Sequence, residues 1–332
     1  SDIHIHGQVK DINGNTYICG HTNPTGSDIS STWDNTASYP VVIRFNPQGS
    51  VEWIYEYQTH FGTAEVIESI DGEELYVGGT VYKAGVNNGF IMKLSISGEI
   101  QWDKDIGDMN SITAIAVDAD DVYGGGDHAT SGAGVVKLNP AGVEQWAKTL
   151  EYNDSSLNNQ LQVTAMAYTV NPTTSTDTYA AEGGAEYERC LYVSTFDPIN
   201  RNTILTRLND TGATQESFQY NGVYFEQLRL DSGNGDGIYF MAAGHYFISA
   251  SNWNAWSARI DVLGNIEWQA EVQTGAENSS WRDVYPLGDD VYLGGYVNTS
   301  SNTVNRALLS RYASNGQLDW INTFRNTTNL DI

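Results

Sequence analysis

What most constrains this chain is that it repeats itself from end to end. Residues Glu74 to Trp102 read ELYVGG, a polar loop TVYKAGVNNG, and then FIMKLSISGEIQW. An aromatic-flanked apolar run ends in two glycines. A second apolar run closes on Lys or Arg plus one residue, and a Gly-centred turn leads to a strand that carries Trp. The first signature recurs at Tyr17–Gly20, Tyr76–Gly79, Tyr123–Gly126, Tyr179–Gly183, Tyr239–Ala242 and Tyr292–Gly295. The second recurs six times, ending at Trp53, Trp102, Trp146, Glu216, Trp268 and Trp320. Glu216 replaces Trp in the fourth copy, where Phe218 offers a substitute ring. Successive positions lie 49, 44, 70, 52 and 52 residues apart, the length of a four-stranded antiparallel propeller blade.

Short alternating or apolar runs bounded by Gly, Asn and Asp read as strands, and NPQG, SISG, NPAG and NDTG read as tight hairpins. No window sustains a 3.6-residue period, so almost no helix is expected. The fold expected is all-β: a six-bladed β-propeller of four-stranded antiparallel blades in one closed domain. Its blades fall near 1–60, 61–108, 109–160, 161–222, 223–274 and 275–332. The paired glycines allow side chains of a neighbouring blade to approach the bare backbone, and the repeated Trp is expected in the core between blades.

Units such as GNTYICGHT followed by VVIRFNPQGSVEW resemble the secreted bacterial β-propeller repeat proteins. The Gly-Gly strand and downstream Trp more weakly resemble kelch repeats. The Gly-x-x-x-Trp turn is similar to that of quinoprotein dehydrogenases, although their adjacent cysteine pair is absent here. The resemblance implies a propeller and an extracellular setting, and it carries over no catalytic residues.

Lys and Arg number 16 against 41 acids, a formal charge of −25. That balance argues against nucleic acid or anionic membranes as partners, since both need positive patches. Abundant Asn, Ser, Thr, Gly and Tyr with little Lys suit a secreted protein. No apolar run is long enough to cross a bilayer, and Ser1 reads as a mature N-terminus left after signal cleavage. Cys19 and Cys190 fall in blades 1 and 4, so no disulfide framework holds the fold.

Acids gather in the first hairpin turns: Asp71, Glu73 and Glu74; Asp118, Asp120 and Asp121; Asp231 and Asp236; Asp289 and Asp290. One negative face is expected from them. DSGNGDG, with Asp231, Asn234 and Asp236, resembles a calcium loop but lacks its regular spacing and terminal Glu, so no cofactor is expected there. Insertions are expected at Thr22–Pro40, Gly184–Thr203, Tyr246–Trp256 and Val297–Asn305, all on the opposite face by strand parity. That face carries the candidate contact residues Trp33, Tyr39, Tyr82, Tyr187, Tyr192, Tyr246, Phe247, Trp253 and Trp256. His4 and His6 share one face of the first strand, two ligands short of a metal site. His21, His128 and His245 follow the glycines of alternate blades, too far apart to share an ion.

No nucleophile–base pair, zinc spacing or phosphate loop occurs. The expected function is therefore non-enzymatic: an extracellular structural or adhesive module binding protein, by self-association or a surface partner, including as the repeating subunit of a filament. The alternatives are a glycan-binding, lectin-like propeller, or a calcium- or quinone-dependent enzyme using Gln227, Arg229 and Asp283 at the channel mouth.

Overall fold

The computed structural model describes residues 2–23, 38–70, 72–130, 132–150, 161–172, 187–231, 238–249, 251–273, 278–298 and 305–324. Among them there is no helix, and six four-stranded antiparallel sheets form the blades of a β-propeller. Blade 1 holds β1 (Asp2–Lys10), β2 (Thr16–Asn23), β3 (Tyr39–Phe45) and β4 (Val51–Glu56). Blade 2 holds β5 (Phe61–Ile70), β6 (Glu74–Lys83), β7 (Val86–Ser95) and β8 (Ile100–Ile106). Blade 3 holds β9 (Ala114–Val117), β10 (Val122–His128), β11 (Gly132–Leu138) and β12 (Glu144–Thr149). Blade 4 holds β13 (Gln162–Pro172), β14 (Tyr187–Asp197), β15 (Asn202–Asn209) and β16 (Thr214–Asn221). Blade 5 holds β17 (Val223–Asp231), β18 (Tyr239–Ser249), β19 (Asn252–Asp261) and β20 (Ile266–Val272). Blade 6 holds β21 (Asn278–Leu287), β22 (Asp290–Asn298), β23 (Asn305–Ala313) and β24 (Leu318–Phe324). Contacts divide the chain into two compact units, Ser1–Val163 and Thr164–Ile332.

Each last hairpin of a blade is written in its turn. A glycine there adopts a φ of 77–87° in all six copies (Gly49, Gly98, Gly142, Gly212, Gly264, Gly316), a region closed to most side chains. The ladder shifts register after the basic residue, as a turn closed by a glycine bulge requires. Asn or Asp at the turn's start fixes the loop: Asn46 Oδ1 accepts from the N–H groups of Gln48 and Ser50 at 3.1 and 2.9 Å. Asn139, Asn209 and Asp261 do the same.

Three of the repeated Trp residues pack between blades as expected, whereas Trp320 is 37 % exposed. Trp53 lies against Gly98 of blade 2 and donates from Nε1 to the Ile96 carbonyl at 3.0 Å. Trp102 meets Gly142 and donates to Pro140 at 2.9 Å; Trp268 meets Gly316 and donates to Ser314 at 2.7 Å. Blade 4 has Glu216 opposite Arg207, and Phe218 takes the vacated place over Gly264.

The first unit packs around Tyr17, Ile67, Val77, Phe90 and Met92 between blades 1 and 2, and Tyr76, Ile91, Ile112 and Val136 between blades 2 and 3. The second packs around Tyr192, Phe225, Phe240 and Trp256, and around Met241, Trp281, Val284 and Leu308. The paired glycines have two separate duties. A Cβ on Gly78 would strike Ile112 of blade 3 at 2.6 Å, the inter-blade approach expected. A Cβ on Gly79 would fall 2.1 Å from the Thr63 carbonyl of its own blade.

Blade 4 corrects the sequence reading. Tyr192 stands opposite Arg207, as Tyr17 stands opposite Arg44 and Tyr76 opposite Lys93. The signature of its second strand is therefore Tyr192–Thr195. Tyr179–Gly183 lies outside the described residues. Thr195, buried, occupies the place held by Gly20, Gly79, Gly126, Gly244 and Gly295 in the other blades, which hid the true copy. From residue 187 on, the expected insertion Gly184–Thr203 is instead strand β14 and a tight turn in which Asp197 accepts from Ile199 and Asn200 N–H. The long connection comes before it, between β13 and β14. Likewise Tyr246–Trp256 is not a loop. Its residues continue the β18–β19 ladder, with Tyr246 facing Asn254 and Phe247 facing Trp253.

Candidate functional site

In blades 1, 2, 5 and 6 the first strand carries one extra residue. The ladder slips between Ile5 and Gly7, Ala64 and Val66, Phe225 and Gln227, and Trp281 and Asp283, leaving His6, Glu65, Glu226 and Arg282 as the bulged residues. The second glycine of each pair makes room for this bulge. A Cβ on Gly20 would fall 1.7 Å from the His4 carbonyl, and one on Gly244 would fall 1.9 Å from that of Tyr224. Bulges turn a side chain out of the strand's alternation, and here they bring charged residues of adjacent blades together.

Two such meetings are described. Between blades 5 and 6, Arg282 bonds Glu226 at 2.7 Å and lies over the Tyr296 ring at 5.1 Å. Burial raises the Glu226 pKa, and Arg282 opposes that rise. Above the pair, His245 stacks on Tyr224 with centroids 5.0 Å apart, meets Phe247 edge-on at 4.7 Å and bonds Ser280 Oγ of blade 6 at 3.1 Å. Trp253 lies 5.6 Å from His245, and Phe196 packs on Tyr224 at 4.7 Å. Burial, with help from Arg282, pushes His245 down to about 4. The layer ends in the β18–β19 hairpin, where Tyr246 is 38 % and Ile248 51 % exposed.

Between blades 1 and 2 the same positions hold different residues. His21 lies between His4 and His6, at 4.8 and 5.1 Å, and bonds His6 Nε2 at 3.0 Å and Thr63 Oγ1 at 3.2 Å through Nδ1. Glu65 stands 3.7 Å from His6. The sequence left His4 and His6 two ligands short of a site, and the structure supplies a third imidazole. The ring planes lie 12° and 24° apart. No group of three His, Cys, Asp or Glu is placed to hold a metal among the described residues.

Of the other contact candidates, Tyr39 packs on Phe61 at 4.9 Å, and Phe61 faces Tyr82 across the β5–β6 ladder. Both tyrosines are half-buried. Trp33 and the Tyr187 side chain lie outside the described residues. Tyr192 and Trp256 cannot serve on a contact face. Tyr192 is fully buried and donates to the Val262 carbonyl at 2.9 Å, while Trp256 stacks on Phe225 at 5.4 Å.

One acid of each acidic turn has a cation partner. Glu74 pairs with Lys93 at 2.6 Å, Asp121 with Lys137 at 3.0 Å, Asp231 with Arg259 at 3.1 Å and Asp290 with Arg311 at 2.9 Å. In each, the cation is the repeat's own basic residue, which lies over a tyrosine of the same blade. These four acids are structural partners within their blades. Asp231 is buried in this way, and Asn234 and Asp236 of the calcium-like loop lie outside the described residues. Cys19 and Cys190 are both buried and are not joined in a disulfide.

No protein-family model and no curated protein sequence matches the chain. Among solved structures, Kuenenia stuttgartiensis hydrazine synthase is similar, at 13 % identity and a TM-score of 0.52, over 82 % of this chain and 69 % of that one. At that distance the likeness shows the fold alone.

Proposed function

We propose that the protein is a non-enzymatic, extracellular binding module that works through protein–protein contact, with the β18–β19 hairpin of blade 5 at the centre of its contact surface. The observation that carries this reading is the hairpin's construction. Its ladder stays paired out to Ser249 and Asn252, and it displays Tyr246 and Ile248 over a packed layer of Phe247, Trp253, His245 and Tyr224. A rigid aromatic projection loses little entropy on binding and supplies the large contact area typical of hot spots. The charge of −25 and the resemblance to secreted bacterial propeller repeats support the extracellular setting.

Self-association, up to a filament or surface assembly, is the version put to test. Sedimentation velocity over a concentration series should show association by the wild type and loss of it in Tyr246→Ser/Ile248→Ser. A strictly monomeric wild type would overturn it. Glycan-array binding lost in Trp253→Ala would transfer the surface to the lectin-like reading.

A further inference from the structure

Arg44, Arg207, Arg259, Arg282 and Arg311 each pair with an acid of the chain. Arg201 is different. It has no carboxylate partner among the described residues, and its guanidinium lies over the Phe247 ring at 5.4 Å. Its backbone is as unusual as its side chain. Arg201 closes the β14–β15 turn with a φ of 55°, the left-handed region that the last hairpin of every blade gives to glycine. Strain of this kind points to a use for the residue, and here it sets a cation on the aromatic layer of the β18–β19 hairpin.

Three loops of blades 4 and 5 hold that cation in place. Asp197 Oδ1 accepts from the N–H groups of Ile199 and Asn200, which fixes the turn. Asn202 Oδ1 accepts from Gly222 N–H at 3.3 Å, and the Gly222 carbonyl accepts from Phe247 N–H at 2.8 Å. Phe196 stacks on Phe247 with centroids 5.9 Å apart. Ile199 of the turn and Tyr246 and Ile248 of the hairpin are exposed.

We propose, resting on the contact surface assigned to the β18–β19 hairpin, that Arg201 anchors a carboxylate presented by a second copy of the chain, so that copies join head to tail. Copies that each carry −25 repel at long range, so a contact between them needs a local cation that its own blade leaves unneutralised. Arg201 meets that need, and its planar fork can take a carboxylate in two parallel bonds. The acidic turns supply the complement. Each gives one acid to its repeat's own cation. Glu73 of the β5–β6 turn and Asp289 of the β21–β22 turn stay exposed and outside any ion pair among the described residues. Those turns join first and second strands, whereas Arg201 lies in a turn joining second and third strands, at the other end of its blade. The contact is therefore heterologous, between unlike ends of two copies.

Sedimentation velocity over a concentration series tests this on the whole protein. Arg201→Gly relieves the backbone, so its melting temperature should equal or exceed that of the wild type, while its association should weaken about tenfold or more. Arg201→Glu and the double variant Glu73→Lys/Asp289→Lys should each fail to associate alone, and an equimolar mixture of the two should associate again. A mixture that stays monomeric, or an Arg201→Gly protein that associates like the wild type, overturns the proposal. If Tyr246→Ser/Ile248→Ser still abolishes association in that case, the contact surface stands and only its partner is wrong. A strictly monomeric wild type overturns both.

Discussion

The blade 1–2 and blade 5–6 seams are built on one frame and filled differently. His21 and His245 occupy the same register position, and each reaches across to a hydroxyl on the next blade, Thr63 or Ser280. Opposite them stand His4 and Tyr224, with His6 and Glu226 at the bulge and Glu65 and Arg282 across from it. Beneath lie Ile5, 59 % exposed, and Phe225, fully buried. A backbone device, the bulge with its facing glycine, is therefore kept while its side chains are free to vary. Anchorage follows the side chains. At the bulge the 5–6 seam carries a tight ion pair under an aromatic layer, and the 1–2 seam carries three imidazoles beside its own apolar core.

The most direct way to break this contrast is to truncate the equivalent apolar residues. Phe225→Ala should cost about 3–5 kcal/mol by cavity formation. Ile5→Ala, at the same position in β1, should stay within about 0.5 kcal/mol. Urea unfolding of both variants checks the pair, and equal losses would mean that β1 is as firmly seated as β17.

Acid should separate the seams by where the damage appears. His245 is held near 4 against an ordinary 6.5, so its folded pKa is depressed. A neutral buried histidine stabilises the fold fully above about 6.5, and the contribution is lost as pH falls toward 4, on the order of 2 kcal/mol by pH 4.5. Because Phe225 pins β17, this loss should lower the global melting temperature without opening β17 first. His245→Asn should flatten its share of the acid slope in thermal melts.

The smallest expected effects come from the charged partners. Arg282→Ala leaves the Glu226 carboxylate, 16 % exposed, without its cation, for about 1–2 kcal/mol at pH 7. Burial has raised the Glu226 pKa, so that loss should shrink as the carboxyl protonates in acid. Glu65→Gln should cost less than about 0.5 kcal/mol, because its 3.7 Å contact with His6 is a quarter to a third exposed on both sides. Denaturant titration at pH 7 and pH 5 measures both.

The sequence by itself determined the fold, because the signals that specify it are local. Asn or Asp at a turn, glycine where φ is positive, period-two runs and a Trp at fixed spacing fix each hairpin and its repeat count without knowledge of anything distant. Even the exception was legible: Phe218, two residues past Glu216, fills the place of the missing Trp. What only the tertiary structure decided was register and burial. Parity assigns a side chain to one side of a strand but not to core or solvent, so Tyr192 and Trp256 read like Tyr246 until the neighbouring blade covers them. In blade 4, Thr195 stands where the other blades place glycine, and a chance Tyr179–Gly183 run drew the alignment off its true strand. The acidic turns looked free because each partner cation sits about 16 to 28 residues away, on the strand beyond. His6 and His21 are 15 residues apart, and a single bulged residue brings them within 3.0 Å. That meeting depends on a one-residue slip in pairing, which no spacing in the sequence records.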